Sequence, residues 1–281
     1  MFTDMDKVII STGNILSVNK KVGQRAEDEL FDCLKATIDD PIVYKKTGKI
    51  FRNNDDLNDK ISEFNREEVK IGAKVFLNNS SVEHLENALE NLLLTLGVNY
   101  LDNLILSFHP KQAINITNGN GSHNGTTNGS IKEPDTPNSV DGKEGVLEWG
   151  VGNSNALNEL KSLWNVLEDY AQQKKICQLG ISDLDTESFQ ELYESSTVKP
   201  TIAQINLKAC CVVPPSLQEF CTKNEIQLLT HSDPEEIISS ESLNELNIQS
   251  SRPLWTTRYQ VHVRCRGVLT AKGFIVSATK H

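Results

Sequence analysis

The chain contains no apolar run approaching the ~18 residues that a membrane-crossing helix requires, so no helical membrane anchor is expected. Behind Met1-Phe2-Thr3-Asp4-Met5-Asp6-Lys7 there is no basic stretch followed by an apolar one, so no secretory signal is expected either. The six cysteines include no Cys-x-x-Cys pair, which leaves structural zinc and thioredoxin-like redox chemistry unsupported. Free thiols in the cytoplasm are the expectation. Glycine-rich nucleotide signatures are also missing. Gly48-Lys49 is followed by Ile50 and Gly142-Lys143 by Glu144, so no P-loop forms. The six histidines show no H-E-x-x-H spacing, no other metal-ligand pattern is present, and no Gly-x-Ser-x-Gly elbow occurs. Positive charge is short: 28 Lys and Arg stand against 38 Asp and Glu, a balance of −10. The densest basic stretch, Arg258 to Arg266, holds only three arginines, so no nucleic-acid partner is expected.

What is present reads as alternating strands and helices. Val69 to Leu77 is a β-like run. Ser80 to Leu96 has a capping box (Ser80 with Glu83) and an apolar face carrying Leu85, Leu89, Leu92 and Leu96. Leu101 to Phe108 is nearly all apolar, as in a strand covered on both faces. Residues 157–171 form a second long helix. Strands at 178–182, 201–207 and 226–230 alternate with helices around 189–193 and 217–221, and 273–278 is a last strand. Such βα repetition predicts a parallel sheet. Residues 111–145 stand apart, with six Gly, six Asn and few aliphatics, and read as a disordered insertion in a surface loop. Its four Asn-x-Ser/Thr sequons follow from that composition. Setting it aside leaves roughly 250 residues, the size of one (β/α)8 barrel. The expectation is therefore a single α/β barrel over 1–281 with a disordered low-complexity insertion at 111–145.

Several segments together resemble the aldo-keto reductases, NADPH-using (β/α)8 barrels. Lys70-Ile71-Gly72-Ala73-Lys74 is similar to the strand bearing that family's catalytic lysine. Leu179-Gly180-Ile181-Ser182-Asp183 is similar to its "I-G-V-S-N" strand. Lys199-Pro200, Gln204 and Asn206 resemble "KP…NQVE", and Arg258-Tyr259 and Arg266-Gly267 fall where the family has "LRW" and "RG". The resemblance implies a tetrad in which a tyrosine, tuned by Lys, Asp and His, gives the carbonyl its proton. Here the tyrosine position is Phe51, which has no proton to give. The aspartate position is Lys46, which would set a second cation against Lys74. The histidine position is Ser107, with His109 two residues on. Losing the proton donor alone costs about 10²–10⁴-fold, so the expectation is no catalysis. Ser182, Asp183 and Gln204 match positions that hold the nicotinamide, and His231 the position that stacks on it. The resemblance thus leaves residual NADPH binding open, with no cofactor required.

One member family is more similar still. Gln204 to Leu217, containing Cys210-Cys211-Val212-Val213-Pro214-Pro215, is followed by Ile226-Gln227-Leu228-Leu229-Thr230-His231-Ser232-Asp233-Pro234. Thr12-Gly13-Asn14-Ile15-Leu16 stands early and Trp255 to Gly267 late. These runs resemble the modifier (regulatory) subunits of glutamate–cysteine ligase. That resemblance implies a non-catalytic chain that forms a heterodimer with the catalytic subunit, favours glutamate binding and relieves glutathione feedback. It implies partner contact through Cys210, Cys211, Val212, Val213, Pro214 and Pro215, an apolar, proline-stiffened loop. An intersubunit disulfide through Cys210, Cys211 or Cys265 is a further expectation, since Arg264 and Arg266 flank Cys265 and favour thiol exchange. A working NADPH-dependent carbonyl reductase is the alternative, and Phe51 argues against it.

Overall fold

The computed structural model describes residues 6–18, 21, 23–110, 149–150, 153–206, 212–248 and 251–280. The 111–145 insertion, Cys210 and Cys211 lie outside the described residues. The chain opens with β1 (Lys7–Ser11), α1 (Ala26–Asp39), β2 (Pro41–Tyr44), β3 (Lys49–Arg52) and α2 (Leu57–Ser62). Next come β4 (Val69–Leu77), α3 (Val82–Leu96), β5 (Asn103–Phe108), α4 (Ala156–Gln172), β6 (Leu179–Ser182) and α5 (Thr186–Ser195). It closes with β7 (Ile202–Asn206), α6 (Pro215–Lys223), β8 (Gln227–His231), α7 (Ser240–Glu245), β9 (Ser251–Val263) and β10 (Val268–Lys280).

Local chemistry accounts for the helix ends. The cap of α3 is Ser81, one residue later than expected, because its hydroxyl accepts the His84 amide. Asp185 caps α5 by accepting from Ser188, and Pro215 opens α6 at a position that needs no amide donor. Alternation along the strands sorts two faces. Val69, Ile71, Ala73 and Val75 of β4 join Leu104, Leu106, Ile181, Ala203 and Ile205 in an apolar core, which α3, α4, α5 and α6 cover. A second core on the other face gathers Ile10, Ile50, Phe76, Phe274 and Val276 with Leu30 and Leu34 of α1 and Leu243 of α7.

One sheet of ten strands runs in the order β2-β3-β1-β10-β9-β4-β5-β6-β7-β8. The strand–helix alternation of the aldo-keto reductase class is there, and β4 to β8 form the expected parallel succession. The difference from an eight-stranded all-parallel barrel is the long hairpin β9/β10. It sits between β1 and β4 and is antiparallel to both. Among the described residues no ladder joins β8 to β2. The cause is in the sequence: 13-residue alternating strands joined by a turn at Gly267 pair with each other more readily than with a helix crossover.

Asp102 fastens this hairpin to the parallel strands. Buried before β5, it accepts the Ile71 amide at 2.8 Å and Arg66 at 2.8 Å, and it pairs with Arg264. Arg66 also lies 3.7 Å over the Tyr100 ring. Asp102→Ala is expected to cost about 2–3 kcal/mol, because a strand amide and two guanidinium groups lose their acceptor. Thermal unfolding followed by circular dichroism should show a midpoint lowered by roughly 5–10 °C. A drop under about 2 °C would mean that water replaces the carboxylate at no cost.

Candidate functional site

On the face of β4 opposite the larger core, Lys74 is 3% exposed. Its ammonium donates to Gln204 Oε1 at 2.8 Å and to Asp233 Oδ2 at 3.0 Å, and lies 3.4 Å from His231 Nδ1. Arg258 is the register partner of Lys74 on β9, so both side chains leave the same face. Its guanidinium grips both oxygens of Asp233, at 2.5 and 2.9 Å. Asp233 thus holds two cations and is held by a fork that fits a carboxylate.

A second carboxylate stands on the other side of His231. Asp183 follows β6 with φ +66, a left-handed geometry that Asp and Asn tolerate. It accepts the Asn206 amide at 2.9 Å and His231 Nε2 at 2.9 Å, and His109 Nε2 lies at 3.6 Å. The Asp233 amide donates to His231 Nδ1 at 3.1 Å, which places the ring proton on Nε2, toward Asp183. A second proton would face Asp233 Oδ2, 3.3 Å from Nδ1.

Burial and bonding compete at each group. Asp233 is buried, which favours its neutral form, yet its bonds with His231 and Arg258 hold it far below the usual carboxylate range. Asp183 is likewise lowered: burial pulls upward and His231 outweighs it. For His231, burial opposes the charge, but the bonds to Asp183 and Asp233 win and the pKa is raised. Lys74 goes the other way: burial brings it down to about 8, despite Asp233. The asymmetry has a cause. Arg258 is permanently charged and claims Asp233 first, so Lys74 receives the smaller share of that carboxylate. His109 is lowered, mainly by burial.

A family model described as "Aldo/keto reductase family" matches residues 19–234. The "Glutamate--cysteine ligase regulatory subunit" of Rattus norvegicus is 31% identical over 290 residues, covering 96% of this chain and 92% of its own. The protein of the same name from Homo sapiens matches at the same identity and coverage. The chain belongs to the glutamate–cysteine ligase regulatory subunit family, within the aldo/keto reductases. Another relative, the "Putative glutamate--cysteine ligase regulatory subunit" of Schizosaccharomyces pombe, is 26% identical over 204 residues, covering 70% of this chain and 64% of its own. Among solved structures, a Bombyx mori aldo-keto reductase in complex with NADP is 16% identical with a TM-score of 0.41, over 76% of this chain and 59% of that one.

Within that family membership, the residues singled out from sequence fall into separate groups. Lys74, Ser182, Asp183 and Gln204 come together, with Ser182 Oγ donating to the Leu106 carbonyl at 3.4 Å. Ser107 shares their sheet face but is buried beside Phe76, its register partner. Lys46 lies exposed in the turn between β2 and β3, so the expected second cation against Lys74 is absent. Lys74 instead faces a carboxylate, Asp233, supplied from beyond β8. Phe51 follows Ile50, a member of the second core, and so points from the opposite face of the sheet. Its ring meets Tyr44 edge-on at 5.7 Å. No tyrosine oxygen bonds Lys74 among the described residues.

The cysteines and the loop are also separated. Val212 is 71% exposed, with Val213 and Pro214 half-buried and Pro215 exposed, beyond the C-terminal end of β7. Cys265 is exposed in the β9/β10 turn, beside the N-terminal end of β4. These are opposite ends of the sheet, about 30 Å apart along nine-residue β4. Burial pushes Cys33 up to about 12 and Cys221 up to about 11. Cys177 is exposed and free. Asp233 and Arg258 were missed as site residues. Each stands in a run that carried the family resemblance, but no spacing rule links positions 25 residues apart to Lys74.

The positions that match the family's nicotinamide site are engaged with one another. Gln204 Oε1 is taken by Lys74. Asp183 puts a paired carboxylate where an amide is needed, and His231 is held at both nitrogens. Among the described residues no helix is long and apolar enough to cross a membrane, and no group of three or more His, Cys, Asp and Glu is set to hold a metal.

Proposed function

We propose that this chain is the non-catalytic regulatory partner of a glutamate–cysteine ligase catalytic subunit, that it acts in the cytoplasm, and that it requires no cofactor. The observation that carries this reading is the 31% identity to regulatory subunits across 96% of the chain. The site supports it. The family's reductases use a tyrosine beside their lysine, and Lys74 has Gln204, His231 and Asp233 there instead. A carbonyl reductase remains the second reading on the fold alone. A regulatory partner works by binding one conformational state of the enzyme better than another. The apolar run Val212 to Pro215, exposed at Val212 and Pro215, is the contact we assign to that partner. An intersubunit disulfide through Cys265 would require a second contact at the far end of the sheet.

The test is to mix the chain with its catalytic subunit and measure ligase kinetics. The expected result is a lower KM for glutamate and weaker inhibition by glutathione, both reduced by Val212→Asp. Unchanged kinetics with a co-eluting complex would leave a scaffold, and brisk NADPH oxidation with an aldehyde would restore the reductase reading.

A further inference from the structure

Below the Lys74 network, on the same sheet face, is a cavity of about 280 Å³. Its walls come from a cross-strand ladder: Lys70 opposite His262, Gly72 opposite Gln260, and Lys74 opposite Arg258. Asn103 of β5 adjoins Gly72 from the other side. Glycine at position 72 is what leaves the space, since a Cβ there would meet Asn103 Oδ1 at 2.5 Å. We propose that this cavity binds a small organic polycarboxylate.

Three observations point to that ligand. The lining holds the cations Lys70, Lys74 and Arg258 and no carboxylate, in a chain whose balance is −10. The local field is therefore positive against an acidic background and selects anions. Second, Lys74 and Arg258 already share Asp233 at the upper end, whereas the side chains of Lys70, His262, Gln260 and Asn103 make no hydrogen bond among the described residues. These four present donors at the lower end, and Gln204 adds an amide near the top. Third, the walls mix cationic and amide groups, which suits a ligand carrying carboxylates on a short polar frame better than a bare tetrahedral ion. The volume admits a molecule of citrate size. Burial and the nearby Lys70 cation keep His262 below its ordinary pKa, so it meets the ligand as a neutral imidazole.

The site lies toward the N-terminal end of β4, away from Asp183 and the β7 loop, and its occupancy does not depend on the regulatory role proposed above. Isothermal titration of the full chain at low salt with citrate, inorganic phosphate and spermidine tests it. Citrate should bind saturably one-to-one with a Kd below about 1 mM, and phosphate at least about tenfold more weakly. Lys70→Gln with His262→Gln should weaken citrate by about tenfold or more. Gly72→Leu should abolish binding by filling the space, while circular dichroism reports the fold. Absence of saturable citrate binding would overturn the assignment. So would citrate binding that survives both variants, phosphate binding as tight as citrate, or spermidine binding in its place.

Discussion

Replacing Asp233 with alanine is expected to lower stability by about 3–5 kcal/mol, the cost of stranding a buried cation. The carboxylate is almost fully enclosed and joins Lys74, Arg258 and His231. Its loss leaves Lys74 in a pocket where burial already disfavours the ammonium. The expected midpoint shift is on the order of 10 °C for a chain of this size. Lys74→Met in the Asp233→Ala background should recover part of that loss, because it removes the unpaired charge rather than a useful contact. A single-variant shift under about 3 °C, or no recovery in the double variant, would show that water replaces Asp233 freely.

The same network gives the prediction a pH signature. Asp183 and Asp233 have folded pKa values below their unfolded ones, near 3.9. Their stabilisation is present above that value and is lost as pH falls through the folded pKa values. His231 is raised, so its contribution is present below about 6.5 and is lost as pH rises through its folded pKa. Lys74 is the opposite case for a base. Its folded pKa of about 8 lies below the unfolded value, so its cost is felt below pH 8 and is relieved as pH rises to about 10.5. The gap between wild type and Asp233→Ala should therefore be widest between about pH 4 and 6.5, narrow at higher pH as His231 loses its proton, and begin to shrink again below about pH 3.9 in urea titrations.

The parts of this molecule readable from sequence share one property: their determinants lie within a few turns of chain. The β4–α3–β5 unit follows from a period-2 run, a serine cap and a leucine stripe. Lys74, Gln204 and Asp183 were visible because short motifs surround each of them. The hairpin was only glimpsed at 273–278, because Ser251 to Val263 alternates Arg258, Gln260 and His262 with Tyr259, Val261 and Val263 and so resembles an ordinary half-exposed strand. Its insertion between β1 and β4 depends on pairings from 178 to 272 residues apart, which no local pattern encodes. For the same reason Asp233 was invisible as the partner of Lys74, and Lys46 was offered in its place. The aspartate position defined by a motif and the carboxylate that reaches the ammonium are different residues here.

Gly273→Ala is expected to be at least as damaging as the loss of Asp233, although it adds one methyl group. Gly273 sits on β10 opposite Tyr259, where β10 and β9 pass the loop after β1. A Cβ there would lie 2.1 Å from the Gly13 carbonyl oxygen and 2.3 Å from the Tyr259 hydroxyl. Neither neighbour can yield. Tyr259 is fully buried and its hydroxyl donates to that same Gly13 oxygen at 2.9 Å, while Gly13 itself has φ +62 with Asp55 against it. Backbone on one side and a locked ring on the other convert a small volume change into strand displacement, so the cost should reach about 3 kcal/mol or more. Tyr259→Phe separates the two effects. It removes the hydroxyl and leaves the Gly13 oxygen with only the longer bond from the Thr12 hydroxyl, 3.2 Å, at a cost of about 1–2 kcal/mol, and it opens space on one side only. In the Gly273→Ala background, Tyr259→Phe should then cost less than it does alone, because the clash at 2.3 Å goes with the oxygen while the one with the ring carbon at 2.6 Å stays. Urea unfolding of the two single variants and the double variant measures that coupling. Strict additivity would mean that the crowding at position 273 comes from the Gly13 backbone and the ring carbon rather than from the hydroxyl.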